Sequence, residues 1–172
     1  MPQARIAFQV EQEDHPMPRM HGDDQVEIQV SANPGMPLRP LSKVASGGEL
    51  SRISLALQVA LTGGKSVSTL IFDEVDSGIG GGVAEVVGQK LRQLGASIQV
   101  LSVTHLPQVA AQGHQHLKVV KGTNGEFTRT EVHVLDTDQR VDEIARMLGG
   151  VVMTPQTLAH AREMLDRGVG AT

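Results

Sequence analysis

Two short apolar runs, separated by a glycine-rich turn and a helical repeat, constrain the fold of this chain more than any other feature. The runs cover residues 67–72 and 98–103, and the turn extends from Gly78 to Gly82. Apolar residues then recur at helical spacing on one face: Val83, Val86, Val87, Leu91 and Leu94. A strand, a helix and a second strand in this order form a βαβ unit with parallel strands. Because nearly continuous apolar strands are typical of parallel sheets covered on both faces, we predict an α/β fold with a buried parallel-sheet core.

The segments before this unit have the patterns of two strands and a helix. Residues 5–10 and 25–30 alternate between polar and apolar side chains, which predicts β-strands. A loop with three prolines, residues 33–40, follows them. A helix is predicted from Ser46 to the glycine pair at 63–64. Its predicted apolar face consists of Leu50, Ile53, Leu57 and Leu61.

The segments after the βαβ unit predict a hairpin and two helices. The hairpin arms are residues 117–121 and 127–135, joined by a turn at Thr123-Asn124-Gly125. Helices are predicted over residues 139–148 and 155–166. No shift in composition, repeat or low-complexity tract marks a domain boundary.

Composition restricts the classes of function. The chain has no cysteine, so disulfides and cysteine-ligated metals are excluded, as suits the cytoplasm. Its formal net charge is −4, whereas dedicated DNA-binding domains are usually basic, so DNA contact needs a local patch or another part of the protein. Three phenylalanines, without tryptophan or tyrosine, offer little for base stacking. Since neither a secretion signal nor an apolar run of about 18 residues is present, we expect a cytoplasmic protein without a membrane partner.

The start of the first predicted helix, Ser46-Gly47-Gly48-Glu49, supports two compatible interpretations. Ser46 and Glu49 fit a capping box, in which each side chain binds the backbone N–H of the other residue. Consecutive glycines also leave a bare helix N-terminus, whose N–H groups and dipole bind anions. A phosphate group therefore fits at Gly47 and Gly48 without meeting a side chain.

Two carboxylates, Asp73 and Glu74, directly follow the first apolar run. They lie at the C-terminal end of a predicted parallel strand, where α/β sheets bind ligands. Asp73 suits Mg²⁺, directly or through water, because this ion takes few carboxylates and keeps several waters. Glu74 is then placed to polarise an attacking water. The alternative is a pair of solvated acids without a chemical role.

A histidine and a glycine-rich turn complete the set. His105 follows the second apolar run and lies beside the acid pair if the two strands are neighbours. An imidazole there can donate to a terminal phosphate, although a plain surface histidine is the alternative. The turn from Asp76 to Gly82 has four glycines in its last five positions, which allow close backbone approach or simply flexibility.

A phosphate-gripping P-loop is absent from this sequence. Its pattern, G-x-x-x-x-G-K-[ST], requires a glycine five positions before Gly64, where Val59 stands. Gly64-Lys65-Ser66 also follows a predicted helix rather than a strand. We interpret this fragment as the turn that ends the helix.

The order of these motifs resembles the C-terminal part of ABC-type ATPases, in which they are the signature motif, Walker B, D-loop and switch histidine. Longer strings are similar to bacterial DNA-repair members of the SMC-like branch, and they cover residues 33–35 with 45–52, 72–79, 103–110 and 140–150. Transporter ATPases typically have glutamine where Glu49 stands. The resemblance implies the C-terminal lobe of an ABC-type P-loop NTPase head, with a parallel-sheet core, flanking helices and an antiparallel hairpin.

The resemblance also implies a role for each motif residue. Asp73 helps to hold Mg²⁺, Glu74 is the catalytic carboxylate, and His105 contacts the γ-phosphate of ATP. The implied nucleotide-binding residues are Ser46, Gly47, Gly48, Glu49 and Asp76.

The partners implied by the resemblance are an N-terminal P-loop lobe of the same protein, a second identical head, and DNA. ATP and Mg²⁺ are the implied cofactors, and repair of DNA double-strand breaks is the implied process. The alternative is a non-catalytic module that docks DNA or a partner through the hairpin and the C-terminal tail. Retained DNA binding without any P-loop lobe would favour that alternative.

Overall fold

The structure, a computed structural model, divides into two compact units, Met1–Leu50 and Ser51–Thr172. It describes residues 4–13, 17, 20, 22–31, 35–43, 47–61, 67–123, 127–149 and 153–170. Ser46 and the predicted turns at 33–34, 63–66 and 124–125 lie outside these ranges. The boundary between the units falls within a helix, where no linker-like composition marks it in the sequence.

The first unit contains an antiparallel sheet. β1 (Arg5–Gln12) pairs with β2 (Asp24–Ser31) along its whole length. β3 (Arg39–Pro40) pairs with the other edge of β2 and leads into a 3-10 turn at Leu41–Lys43. The alternating pattern therefore predicts both long strands correctly, and each continues slightly beyond its predicted limits.

The second unit contains the βαβ arrangement. The remaining elements follow in chain order: α1 (Gly47–Ala60), β4 (Thr69–Phe72), α2 (Gly81–Gly95), β5 (Gln99–Ser102), α3 (Pro107–Ala110), β6 (Leu117–Thr123), β7 (Thr128–Val134), α4 (Thr137–Gly149) and α5 (Pro155–Gly170). β4 and β5 pair in parallel, and β6 and β7 form an antiparallel hairpin. The predicted α/β class is confirmed, and the short helix α3 is an addition to the predicted elements.

Among the described residues, the second unit has two hydrophobic clusters, and the larger one covers one face of the β4–β5 pair. Its buried members are Leu55, Phe72, Val75, Ala84, Val87, Leu91, Leu94 and Val109. On the opposite face, Ile71 is 71% exposed and Val103 is 63% exposed. The prediction that these strands are buried on both faces is therefore wrong for the described residues, because the described helices pack against one face only.

The predicted apolar faces of two helices are also partly wrong. In α1 the buried apolar side chains are Ile53 and Leu55, whereas the other predicted positions are exposed: Leu50, Leu57 and Leu61. In α2, Val83 and Val86 are exposed, while Val87, Leu91 and Leu94 lie in the core as predicted, together with Ala84 and Gly88. Apolar residues occur around most of α1, so their spacing does not select one face.

Candidate active site at the ends of β4 and β5

The acid pair lies where β4 leaves the sheet. Phe72 ends the strand and is buried, and both Asp73 and Glu74 are exposed. Glu74 has φ 57°, and it is the one non-glycine residue with positive φ among the described residues. A left-handed conformation costs an L-residue about 1–2 kcal/mol, and such strain persists where the surroundings fix it. Backbone strain therefore coincides with the residue that the sequence singles out as catalytic.

Hydrogen bonds from α1 fix the loop that carries the acids. Ser51 Oγ donates to the Asp73 carbonyl at 3.0 Å. Arg52 Nη1 donates to the Ser77 carbonyl at 2.8 Å and to the Val75 carbonyl at 3.3 Å. Val75 itself is fully buried in the core. The side chains of α1 thus hold the loop by its backbone and leave the two carboxylates free to face solvent.

A buried carboxylate connects this loop to the end of β5. Asp76 is 1% exposed. Its Oδ2 accepts hydrogen bonds from the Thr104 hydroxyl at 2.5 Å and from the His105 backbone N–H at 3.2 Å. The imidazole Nδ1 of His105 lies 3.5 Å from the same oxygen. The turn after β4 and the turn after β5 are therefore tied together at one atom.

The hydroxyl of Thr104 has a defined direction. It accepts the Leu106 backbone N–H at 3.0 Å, and as a donor it lies closer to Asp76 Oδ2, at 2.5 Å, than to the Leu106 carbonyl, at 3.4 Å. The Val103 N–H donates to the Phe72 carbonyl at 2.9 Å, which continues the β4–β5 pairing by one step. Together these contacts present His105 at the sheet edge with its side chain 73% exposed.

The residues predicted at the start of α1 lie in the first unit. Gly47, Gly48 and Glu49 form the first turn of that helix, with Gly47 exposed and Gly48 buried. Ser46 is outside the described residues, so its capping contact stays a prediction. The structure brings together Asp73, Glu74, Asp76 and His105 at the edge formed by β4 and β5.

Three residues at this edge have structural contacts that sequence reasoning missed: Ser51, Arg52 and Thr104. The first two stand within the quoted signature string, and Thr104 directly precedes the histidine. Their partners are backbone carbonyls or a distant side chain. A sequence pattern does not show which backbone carbonyl will accept a hydrogen bond from a distant side chain. The position of these three residues next to a motif is therefore the one indication that the sequence offers.

A second cluster of charges joins β6 to α4. Glu143 is 6% exposed, and its carboxylate lies 2.6 Å from Lys118 Nζ and 2.6 Å from Arg146 Nη2. Burial pushes the pKa of Glu143 upward, but the hydrogen bonds from Arg146 and Lys118 outweigh burial and hold that pKa below its usual value. Burial lowers the pKa of the nearby His116, and the charge of Arg140 lowers it further, against the opposite effect of Glu143.

Comparisons with known proteins define the class of this chain. No family model matches it. A solved structure from work on ATP-driven dimerization and DNA-stimulated activation of SMC ATPases is similar in fold, with a TM-score of 0.51 and 17% identity. The similarity covers 74% of this chain and 76% of that one. The fold of this chain is thus similar to that of an SMC ATPase.

Sequence similarity then identifies the family. The chain is 49% identical over 162 residues to the DNA repair protein RecN of Xylella fastidiosa (strain 9a5c), which covers 94% of the chain and 29% of that relative. It is 52% identical to RecN of Vibrio cholerae over 96% of the chain and 30% of that relative. The RecN of Bacillus subtilis is 45% identical over 85% of the chain and 25% of its own length. The chain belongs to the RecN family and spans about 30% of the length of such relatives.

Proposed function

We propose that this chain is the C-terminal lobe of the ATPase head of a DNA double-strand-break repair protein. The parallel register of β4 and β5 carries the proposal, because it sets the acid pair and His105 at one sheet edge. Ligands of open α/β sheets bind at such an edge. RecN relatives are DNA repair proteins by name, which supports DNA as a partner and a nucleoid location in the cytoplasm.

Asp73 is the proposed contact to Mg²⁺. Its exposed carboxylate fits an ion that takes one or two carboxylates and completes its shell with water and substrate phosphate oxygens. When bound, the ion neutralises negative charge on the phosphate oxygens.

Glu74 and His105 are the proposed residues that act on the reaction. The carboxylate of Glu74 orients a water molecule for in-line attack on the γ-phosphate and takes up its proton. The imidazole of His105 donates a hydrogen bond to a γ-phosphate oxygen and stabilises the charge there. Both side chains reach solvent from a backbone that buried neighbours hold in place.

The remaining parts come from elsewhere in the proposed assembly. A P-loop lobe binds most of the nucleotide. The exposed apolar face of β4 and β5, which includes Ile71 and Val103, is suited to pack against that lobe. Ser46, Gly47, Gly48 and Glu49 approach the γ-phosphate of ATP held by a second, identical head. Two ATP molecules between two heads then serve as dimerising ligands.

The test of this function is ATP turnover by a protein that includes the P-loop lobe. Glu74→Gln is expected to lower kcat by about 100-fold or more, while ATP binding is retained, because general-base groups contribute about 10²–10⁴-fold. Glu27→Gln, on an exposed position of β2, is the matched control and leaves kcat unchanged. An unchanged kcat in Glu74→Gln would overturn the proposal.

The exposed hairpin favours a second candidate, a module that docks DNA or a protein without catalysis. One face of the hairpin exposes four apolar side chains in two cross-strand pairs: Leu117 with Val134, and Val119 with Val132. This candidate predicts that the chain binds DNA without a P-loop lobe and that Val119→Asp, which places a negative charge on the hairpin, abolishes the binding. DNA binding that requires ATP and a P-loop lobe would exclude it.

A further inference from the structure

We infer that Asp76 and Thr104 are positioning residues that hold the imidazole of His105 for its contact with phosphate. This inference rests on the proposed function and assigns Asp76 a role different from direct nucleotide contact. With its side chain 2% exposed, Asp76 reaches a nucleotide only through His105.

The surroundings of Asp76 distinguish it from an ordinary salt-bridge residue. Within the part of the chain that the structure describes, the one basic side chain within 4.0 Å of its carboxylate is His105. The guanidinium of Arg52 donates instead to the backbone carbonyls of Val75 and Ser77. The carboxylate therefore accepts from a hydroxyl and a backbone N–H, and among the described residues no Lys or Arg side chain forms an ion pair with it.

This arrangement selects one orientation of the imidazole. A carboxylate beside Nδ1 favours the tautomer that has its proton on that nitrogen. Nε2 is then the ring nitrogen that remains for the phosphate. The distance of 3.5 Å between Nδ1 and Oδ2 is slightly longer than a typical hydrogen bond.

Thr104 holds Asp76 Oδ2, the oxygen that faces Nδ1 of His105. Because its hydroxyl accepts the Leu106 N–H, its single proton is available to Asp76. The hydroxyl and the His105 N–H together hold Oδ2 at one point of the sheet edge. Loss of either group would let the carboxylate turn away from the imidazole.

A double-mutant cycle in the whole protein, with its P-loop lobe, tests the inference by steady-state ATP hydrolysis. Asp76→Asn keeps both acceptor contacts and removes the negative charge. We expect about a tenfold lower kcat with a KM for ATP within about twofold, the usual effect of losing an outer partner of a functional histidine. In a His105→Gln background the same substitution lowers kcat by less than about twofold, because the two residues act as one unit. Asp142→Asn, on an exposed position of α4, is the control and leaves kcat unchanged.

The outcomes separate this inference from the proposed function. A full tenfold loss from Asp76→Asn in the His105→Gln background would show a merely structural role and overturn the inference alone. Unchanged kcat in Asp76→Asn overturns it as well. Should Glu74→Gln leave turnover intact, the proposed function itself fails. If Asp76→Asn does not fold, Thr104→Val decides by the same cycle, and Thr104→Ser is expected to restore kcat.

Discussion

Asp76 and Glu143 are both buried carboxylates of the second unit, yet their surroundings differ. Glu143 binds two cations, Lys118 and Arg146, each at 2.6 Å. Asp76 binds a hydroxyl and a backbone N–H, with an exposed imidazole as its basic neighbour. The charge of Glu143 is neutralised by two cations, whereas the carboxylate of Asp76 has the imidazole of His105 as its basic neighbour.

The difference separates a structural carboxylate from one that serves a site. Burial of a charge is unfavourable unless partners compensate it, so each carboxylate needs its donors. Cations at Glu143 join β6 to α4 and satisfy that need completely. Neutral donors at Asp76 satisfy it by hydrogen bonding alone, which leaves the negative charge to act on His105.

Removal of Glu143 is expected to have the largest effect on stability. Glu143→Ala leaves Lys118 and Arg146 without their partner, and removal of one member of a buried pair costs about 3–5 kcal/mol. Since both cations are partly exposed, we expect the lower limit, about 3 kcal/mol, in urea unfolding of the chain. Glu163→Ala, which removes an exposed partner of Arg167, is the matched control with a much smaller loss. Equal losses would remove the distinction between buried and exposed pairs.

Removal of Asp76 is expected to come second. Asp76→Ala leaves the Thr104 hydroxyl and the His105 N–H without their acceptor, which costs about 2 kcal/mol. Hydrogen exchange of residues 103–106 measures the loss locally. Asp73→Ala, three positions earlier and exposed, changes the same exchange by less than about 0.5 kcal/mol. A comparable effect from both substitutions would contradict the anchoring role of Asp76.

The third prediction concerns the positive φ of Glu74, and its expected effect on stability is smaller. Glycine adopts positive φ without penalty, so Glu74→Gly is expected to be more stable than Glu74→Ala by about 1 kcal/mol in thermal unfolding. The same pair of substitutions at Glu85, within α2, has the reverse order, because glycine destabilises a helix by about 1 kcal/mol relative to alanine. The same order at both positions would show that the φ of Glu74 carries no strain.

The smallest predicted effect is a pH dependence of the free energy of unfolding, which arises from His116 and Glu143. His116 has a lowered pKa in the folded chain, so the unfolded chain binds its proton first as pH falls. Stability is therefore lost below about pH 6.5, the ordinary pKa of histidine, down to the lowered folded value. The lowered pKa of Glu143 adds a second loss only below about pH 4.5, since its contribution is complete above the unfolded pKa. Unfolding free energies of His116→Gln between pH 7 and pH 5 should be flatter than those of the parent chain.

The sequence alone predicts the elements that depend on local pattern. Apolar runs around a glycine turn give β4, α2 and β5, and the parallel pairing follows from the topology rule for βαβ units. The acid pair and His105 were found because they directly follow those runs. The roles assigned to them, and to Ser46, Gly47, Gly48 and Glu49, stay predictions until turnover is measured.

Features that depend on packing were not accessible from pattern. The predicted face of α1 is correct at Ile53 and wrong at Leu50, Leu57 and Leu61, because apolar residues occur around most of the helix and the packing of its neighbours decides which are buried. The contacts of Arg52 and Thr104 were missed, since their partners lie 23–25 and 28 positions away in the chain. The exposed face of β4 and β5 was also unpredicted, because an apolar strand has the same sequence whether one face or both are covered.

The two-stranded parallel pair has a practical consequence for handling this segment. In the described ranges β4 and β5 pair only with each other, so the outer edge of each strand has no partner strand among the described residues. Open edges of this kind template further strands, including those of identical molecules. We therefore expect the segment to be produced as a monodisperse sample only when a companion polypeptide is co-expressed to cap these edges.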